Sequence, residues 1–214
     1  MTLEKKMGLL LCGGKGTRMY PFNLEYRKVD LLVNGKTVLQ RQKEFLEHNG
    51  VPAFHQVLGT DGTAGDARAY ITGNADYVIL NGDTLYNFDL RKMLSFHERK
   101  NALCTINVAR TDVPHEKGIV LLGINDQVID FTEKPEHPQS DLSWGGVIIC
   151  DSRIRQYFPK KTVVDWAKDV FPSITQGFYG YRVSDDQYLD VGTLKGYERA
   201  ILYYRKKEGN RGVQ

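Results

Sequence analysis

No run of apolar residues in this 214-residue chain is long enough to span a bilayer. The longest, Leu9-Leu10-Leu11-Cys12 and Val147-Ile148-Ile149-Cys150, are strand-length, far short of the roughly 20 residues that a membrane helix needs. An excess of one charge is also missing: 29 basic and 26 acidic residues are intermixed and leave a net charge of +3. That is no footprint for a nucleic-acid backbone. The three cysteines, Cys12, Cys104 and Cys150, are far apart, odd in number and each inside an apolar run. That spacing excludes a disulfide framework or a zinc cluster and suits small buried residues in a reducing compartment. Lys5 and Lys6 precede an apolar stretch, but it runs at once into glycines and Lys15, without the length or cleavage site of a signal peptide. A cytoplasmic protein is expected. Internal repeats, low-complexity tracts and interdomain linkers are lacking too.

What is present is 41% hydrophobic residues spread along the chain, enough for one substantial core. A single domain over 1–206 is expected, with 207–214 as a flexible basic tail. Strand-like segments at Gly8–Cys12, Ala53–Leu58 and Tyr77–Asn81 alternate with helix-like ones at Val38–His48, Gly65–Thr72 and Leu90–Arg99. That alternation signals βαβ units and a mostly parallel sheet. Ala102–Ala109, Gly118–Leu122, Val128–Thr132 and Trp144–Cys150 are strand-like with short turns, which brings in antiparallel pairing. Asp165–Thr175 and Leu194–Lys206 read as helices. The fold class is α/β, a Rossmann-like, mixed but mostly parallel sheet flanked by helices.

The first apolar strand opens into Gly13-Gly14-Lys15-Gly16-Thr17-Arg18. Glycines let backbone N–H groups converge on an anion, and a guanidinium can hold two phosphate oxygens. This is neither a Walker A loop nor Gly-x-Gly-x-x-Gly, and alone it is equally a plain glycine turn. A second strand, Tyr77–Leu80, ends in Asn81-Gly82-Asp83-Thr84. In open α/β sheets ligands bind beyond the C-terminal strand ends, so Asp83 and the glycine turn can share one rim. A carboxylate beside a phosphate calls for a cation between them, which makes Mg²⁺ the economical reading and Asp83 a metal candidate. Asp83 in an Asx-turn is the alternative. Asp190, in Tyr188-Leu189-Asp190-Val191-Gly192-Thr193, closes another strand-like run; it is a second metal candidate or part of a helix entry capped by Thr193. Glu133-Lys134-Pro135 alone reads as a surface turn.

Taken in order, these pieces resemble the sugar-1-phosphate nucleotidyltransferase family, with mannose- and heptose-1-phosphate guanylyltransferases as the most similar branches. The family's opening signature is matched by Gly13 to Pro21 and its following lysine by Lys28; its Gly-Thr-Ala-Gly by Gly62 to Gly65, its Asn-Gly-Asp by Asn81 to Asp83 and its Glu-Lys-Pro by Glu133 to Pro135. Trp144-Gly145-Gly146, Asp169 to Pro172 and Asp190 to Thr193 complete the series. The resemblance implies a nucleoside triphosphate held by Cys12, Gly13, Gly14, Gly16, Thr17, Arg18 and Gly82, with Gln56, Gly62 and Thr63 near the base. It implies Lys28 on the phosphates, Mg²⁺ on Asp83 and Asp190, and a sugar 1-phosphate held by Glu133, Lys134, Gly145 and Gly146. Arg18, Lys28, Asp83 and Lys134 would carry catalysis. The implied chemistry is in-line attack of the sugar phosphate on the α-phosphorus with pyrophosphate leaving, without a covalent intermediate or a general base.

The chain departs from the family in three places. Arg27 and Val29 flank Lys28 where relatives have prolines, Trp144 replaces an asparagine at the sugar end, and only Val51 to Asp61 separate the first helix from the Gly62 turn. A strand-crossover-strand unit of about 30 residues cannot fit there, so the N-terminal half of the sheet is expected to be narrower. The strand this exposes must be paired or covered, and a homodimer is one open reading. GTP with a manno- or heptose-type sugar 1-phosphate is the first choice; UTP, dTTP or CTP, a non-catalytic nucleotide-sugar binding module and a molybdopterin-type nucleotidyltransferase are the alternatives.

Overall fold

Strand β1 (Lys5–Leu11) lies between β4 (Phe54–Val57) and β5 (Ala75–Asn81) and runs parallel to both. This computed structural model describes residues 5–13, 27–59 and 62–209. Beyond β5 come β10 (Leu142–Cys150), antiparallel to it, then β7 (Cys104–Arg110), antiparallel to β10, then β11 (Phe178–Arg182), parallel to β7. The order is thus β11-β7-β10-β5-β1-β4, with β10 alone reversed along that path. A hairpin of β8 (Gly118–Leu122) and β9 (Val128–Glu133) joins through β8 to β10. The sheet is mixed and mostly parallel, as expected, and β4 is its edge: residues 51–58 supply one strand, the narrowing anticipated from the short segment.

Alternation along β1 separates two cores. Leu9 and Leu11 pack with Ile79, Ile106, Ile148, Trp166 and Phe171 on one face, and Leu10 packs with Val78, Leu80, Val147 and Ile149 on the other. β5 is buried at every position from Asp76 to Leu80, as a central strand covered on both faces must be. Helices α1 (Val38–His48) and α3 (Leu90–Arg99) cover the second face and coincide with the expected boundaries. The reason is local. Thr37 and Gln40 form a reciprocal capping box at the start of α1 (Gln40 N to Thr37 Oγ1 3.1 Å, Thr37 N to Gln40 Oε1 2.8 Å), and Asp89 caps α3 through Arg91 N. Immediately before α1, Asn34-Gly35 turns the small hairpin of β2 (Leu32–Val33) and β3 (Lys36–Thr37) with positive φ at both residues.

Elsewhere the elements differ from the expectation. Helix α2 runs Gly62–Arg68 rather than Gly65–Thr72. The expected helix at Asp165–Thr175 is instead a π-helical turn, Trp166–Val170, followed by a 3-10 turn, Phe171–Ser173. Pro172 has no N–H to continue an α-helical ladder, which breaks the run. A two-stranded sheet of β6 (Thr84–Tyr86) and β12 (Tyr188–Asp190) is too short to show in the sequence pattern. Helix α4 (Leu194–Gly209) continues past Lys206 into the expected tail. There Glu208 pairs with the buried Arg41 of α1 at 2.8 Å, and the Arg41 guanidinium lies 3.7 Å from the Tyr204 ring. No helix among the described residues is long and apolar enough to cross a membrane.

Candidate active site

The C-terminal ends of β1, β4 and β5 and the first residues of the reversed β10 meet at one rim, and a cleft of about 740 Å³ opens there. Cys12, Gly13, Lys28, Thr63, Gly82, Asp83, Glu133, Lys134, Gly145, Gly146 and Asp190 all line it. Gly14, Gly16, Thr17 and Arg18 lie outside the described residues. Gly62 begins α2, directly before the lining residue Thr63. Gln56 is not brought to the cleft: it is exposed on β4 while its neighbour Val57 faces in, because successive strand side chains alternate.

The turn after β5 owes its shape to close backbone approach. A Cβ at Gly82 would lie 2.0 Å from the Leu11 carbonyl oxygen, so only glycine lets the ends of β1 and β5 converge. From α1, the buried Gln42 donates to the carbonyls of Asn81 and Thr84, 2.7 Å each, and pins both sides of Asp83. Pairing of β6 with β12 sets Asp190 opposite Thr84, and Val191 N donates to the Asp83 carbonyl at 2.8 Å. Two aspartates more than a hundred residues apart in sequence thus become neighbours. A Cβ placed on Gly192 would meet Asp83 Oδ2 at 2.7 Å, Asp190 Oδ1 at 2.9 Å and Lys28 Nζ at 3.0 Å. Gly192 is the gap into which both carboxylates point.

Each aspartate carries an ammonium: Lys28 Nζ stands 2.8 Å from Asp83 Oδ2, and Lys117 Nζ stands 3.0 Å from Asp190 Oδ2. Lys117 was not singled out by any motif; a lysine in a polar turn carries no signal until folding brings it to Asp190, 73 positions away. Two converging carboxylates beside a phosphate cleft fit Mg²⁺, which takes one or two protein carboxylates and completes its octahedron with water and substrate oxygens. No cluster of three or more His, Cys, Asp or Glu suited to a metal occurs among the described residues.

The sugar-side residues gather at the β8–β9 and β10 end. Glu133 Oε2 lies 2.9 Å from a Cβ position on Gly118, and burial pushes its carboxyl pKa up against the opposing pull of Lys134. Lys134 is exposed, its N–H donates to the Lys117 carbonyl at 2.9 Å, and its φ is +51°. A non-glycine residue in that region is held there by its surroundings. Register slips in β10 between Trp144 and Ile148, where Asn107 of β7 accepts from Val147 N at 2.8 Å and Gly146 takes φ +91°. This bulge turns Gly145 and Gly146 toward the cleft, with Tyr86 Oη donating to the Gly146 carbonyl at 2.9 Å. Trp144 donates from its indole to Val147 O at 3.2 Å and stands edge-on to Phe171 at 5.1 Å, so its ring roofs an aromatic cluster at the cleft wall. Cys12 also lines the cleft, and burial raises its thiol pKa to about 11, which disfavours the thiolate near neutral pH.

Among curated proteins, a mannose-1-phosphate guanylyltransferase of Mycobacterium tuberculosis is 27% identical over 234 aligned positions, 93% of this chain and 64% of that protein. Glucose-1-phosphate adenylyltransferases of Thermosipho africanus and Clostridium novyi are 28% and 33% identical, covering 94% of this chain in each case and 62% and 67% of those proteins. The chain therefore spans under two thirds of the length of the first two relatives. Each alignment is longer than the chain itself, so the relatives carry residues that this chain lacks within the matched region. A crystal structure from Bacillus anthracis, described as a glucose-1-phosphate thymidylyltransferase, superposes with a TM-score of 0.77 at 18% identity over 94% of this chain and 95% of that one, which is a likeness of fold. The family model described as nucleotidyl transferase matches residues 59–207. That range carries Asp83, Glu133, Lys134 and Asp190, and with it the chain belongs to the nucleotidyl transferase family.

Proposed function

We propose that this protein transfers a nucleoside monophosphate from a nucleoside triphosphate to a sugar 1-phosphate, with Mg²⁺ as cofactor and pyrophosphate as the second product. The observation that carries this reading is the convergence of Asp83 and Asp190 on Gly192 at the strand ends, paired with Lys28 and Lys117 in a cleft that Lys134 also lines. Bound Mg²⁺ would supply neutralisation of the phosphate charge that builds up during transfer.

The remaining chemistry falls to the chain. A sugar phosphate is already ionised at neutral pH, so no side chain has to remove a proton, and the absence of a Ser, Cys or His nucleophile motif agrees with direct displacement. In this reading Lys28 would hold the nucleotide phosphates, Lys134 the acceptor phosphate, and Glu133 with the Gly145–Gly146 backbone the sugar hydroxyls. Catalysis then rests on positioning and charge stabilisation in a partly closed cleft.

GTP and a manno- or heptose-type sugar 1-phosphate are the proposed pair, supported by the similarity to the guanylyltransferase. ATP with glucose 1-phosphate is the second reading, supported by the adenylyltransferase relatives. Pyrophosphate release in the presence of Mg²⁺, measured across GTP, ATP, UTP, dTTP and CTP against mannose-, glucose-, N-acetylglucosamine- and heptose-1-phosphates, tests both. Release with the GTP–mannose or GTP–heptose pair supports the first reading. Folded protein that is silent across the grid while still binding a nucleotide would replace both with a non-catalytic binding module.

A further inference from the structure

Four charges share the small space around Gly192: Asp83, Asp190, Lys28 and Lys117. Each carboxylate is paired with an ammonium, at 2.8 Å and 3.0 Å. A divalent cation drawn to the same two carboxylates would stand against both lysines, and like charges at that range in a cleft with side chains only about a quarter exposed repel strongly. Occupation by the cation and retention of both lysine pairs are therefore mutually opposed. A lysine has a flexible stem and rotatable donors, so it can leave one anion for another without rebuilding the backbone.

The two lysines come from different elements. Lys28 opens the 3-10 turn Lys28–Asp30 and pairs with Asp83. Lys117 sits at the foot of β8, where its carbonyl accepts from Lys134 N at 2.9 Å and the next residue, Gly118, pairs with Glu133. Lys134 is proposed for the acceptor phosphate and Glu133 for the sugar, so the acceptor phosphate is the anion that a displaced Lys117 would meet.

We infer that Lys117 is an exchange residue. It holds Asp190 when the metal position is empty and moves to the phosphate of the sugar 1-phosphate when the cation enters, so that metal and acceptor phosphate each favour binding of the other. This rests on the proposed metal role of Asp83 and Asp190. The coupling must be reciprocal, since any release of Lys117 by the phosphate also frees Asp190 for the cation.

The test is a Mn²⁺ titration followed by electron paramagnetic resonance, with Mn²⁺ standing in for Mg²⁺ and glucose 1-phosphate as the phosphate probe, on the intact protein and on Lys117→Met, Lys117→Arg and Asp190→Asn. Lys117→Met is expected to bind Mn²⁺ several-fold tighter than the wild type, because the competing ammonium is gone, and to lose the tightening of Mn²⁺ binding that glucose 1-phosphate produces in the wild type. Lys117→Arg keeps the charge and should retain that tightening at least in part. Lys117→Gln replaces the methionine variant where the latter melts at a lower temperature. Unchanged or weaker Mn²⁺ affinity in the neutral variants, with Asp190→Asn still weakening binding, overturns the exchange role alone. Asp190→Asn binding Mn²⁺ as the wild type does overturns the metal assignment and the exchange role with it.

Discussion

A methyl group at position 192 would sit 2.7 Å from Asp83 Oδ2 and 2.9 Å from Asp190 Oδ1, closer than carbon and oxygen approach without displacement. Both contacts are the ends of side chains rather than backbone, so Gly192→Ala should be accommodated by turning the carboxylates aside. The expected result is a melting temperature within a few degrees of the wild type, in keeping with a loss of about 1 kcal/mol, together with a fall in turnover of roughly tenfold or more as the carboxylates lose their shared aim. A circular-dichroism melt alongside pyrophosphate release checks both parts; full activity in this variant would mean that the convergence does not matter. At this scale, the rim position of Asp83 and Asp190 was legible because each closes a strand-like run and has a glycine within two positions, Gly82 and Gly192. Lys117 and Gln42 were not, since one reads as a turn cation and the other as a polar residue on a helix. The resemblance puts Gln56 near the base, whereas the folded strand leaves it exposed and outside the cleft lining.

Among the elements, α1 and α4 are joined by a buried cation. Arg41 donates from Nε and Nη2 to the Val33 carbonyl, at 2.9 and 2.6 Å, from Nη1 to Glu208 at 2.8 Å, and packs on Tyr204. Replacing it by methionine keeps most of the packing volume but strips the Val33 carbonyl of both guanidinium donors and leaves Glu208 with Asn34 in place of its charged partner. The predicted loss is about 2–4 kcal/mol, or roughly 5–15 °C in melting temperature for a domain of this size. A thermal melt of Arg41→Met within 2 °C of the wild type would contradict the anchoring of α4 through this network. The same comparison shows why elements were read unevenly. The boundaries of α1 and α3 follow from capping side chains that a sequence displays openly. The π-helical turn at Trp166–Val170 depends instead on Thr63 and Asp165, which bond across 102 positions (3.1 Å), and on Ala64 N and Gly65 N donating to the Val164 carbonyl. β6 and β12 are each three residues long and exist only because they pair with one another.

Over the whole molecule, the end of the sheet away from the cleft holds a different constraint. His97 of α3 is 3% exposed, its Nδ1 lies 2.8 Å from Thr105 Oγ1, and burial lowers its pKa from 6.5 to about 4, against the opposing influence of Asp151 and Glu98 and with Arg153 adding to the drop. The folded protein keeps this imidazole neutral while the unfolded chain protonates it below pH 6.5. Its contribution is therefore complete above pH 6.5 and is lost as the pH falls toward 4, amounting to about 2 kcal/mol at pH 5. Urea unfolding at pH 7 and pH 5 should show that loss in the wild type and a smaller one in His97→Gln; equal losses would remove His97 as the source. The sheet class, its parallel bias and its narrowed edge were all legible, because apolar run length and segment spacing constrain how many strands fit. The cleft was legible as a set of strand-end motifs and not as a charge network, since Lys28–Asp83 and Lys117–Asp190 join residues 55 and 73 positions apart that only the folded chain brings together. The central claim is that Asp83 and Asp190 form one metal-dependent centre for nucleotidyl transfer, and pyrophosphate release by Asp83→Asn, compared with the wild type at saturating Mg²⁺ and with the most active substrate pair, addresses it most directly. A drop of about a hundredfold or more in a variant that melts at or above the wild-type temperature is the predicted result, and turnover within a few-fold of the wild type would contradict it.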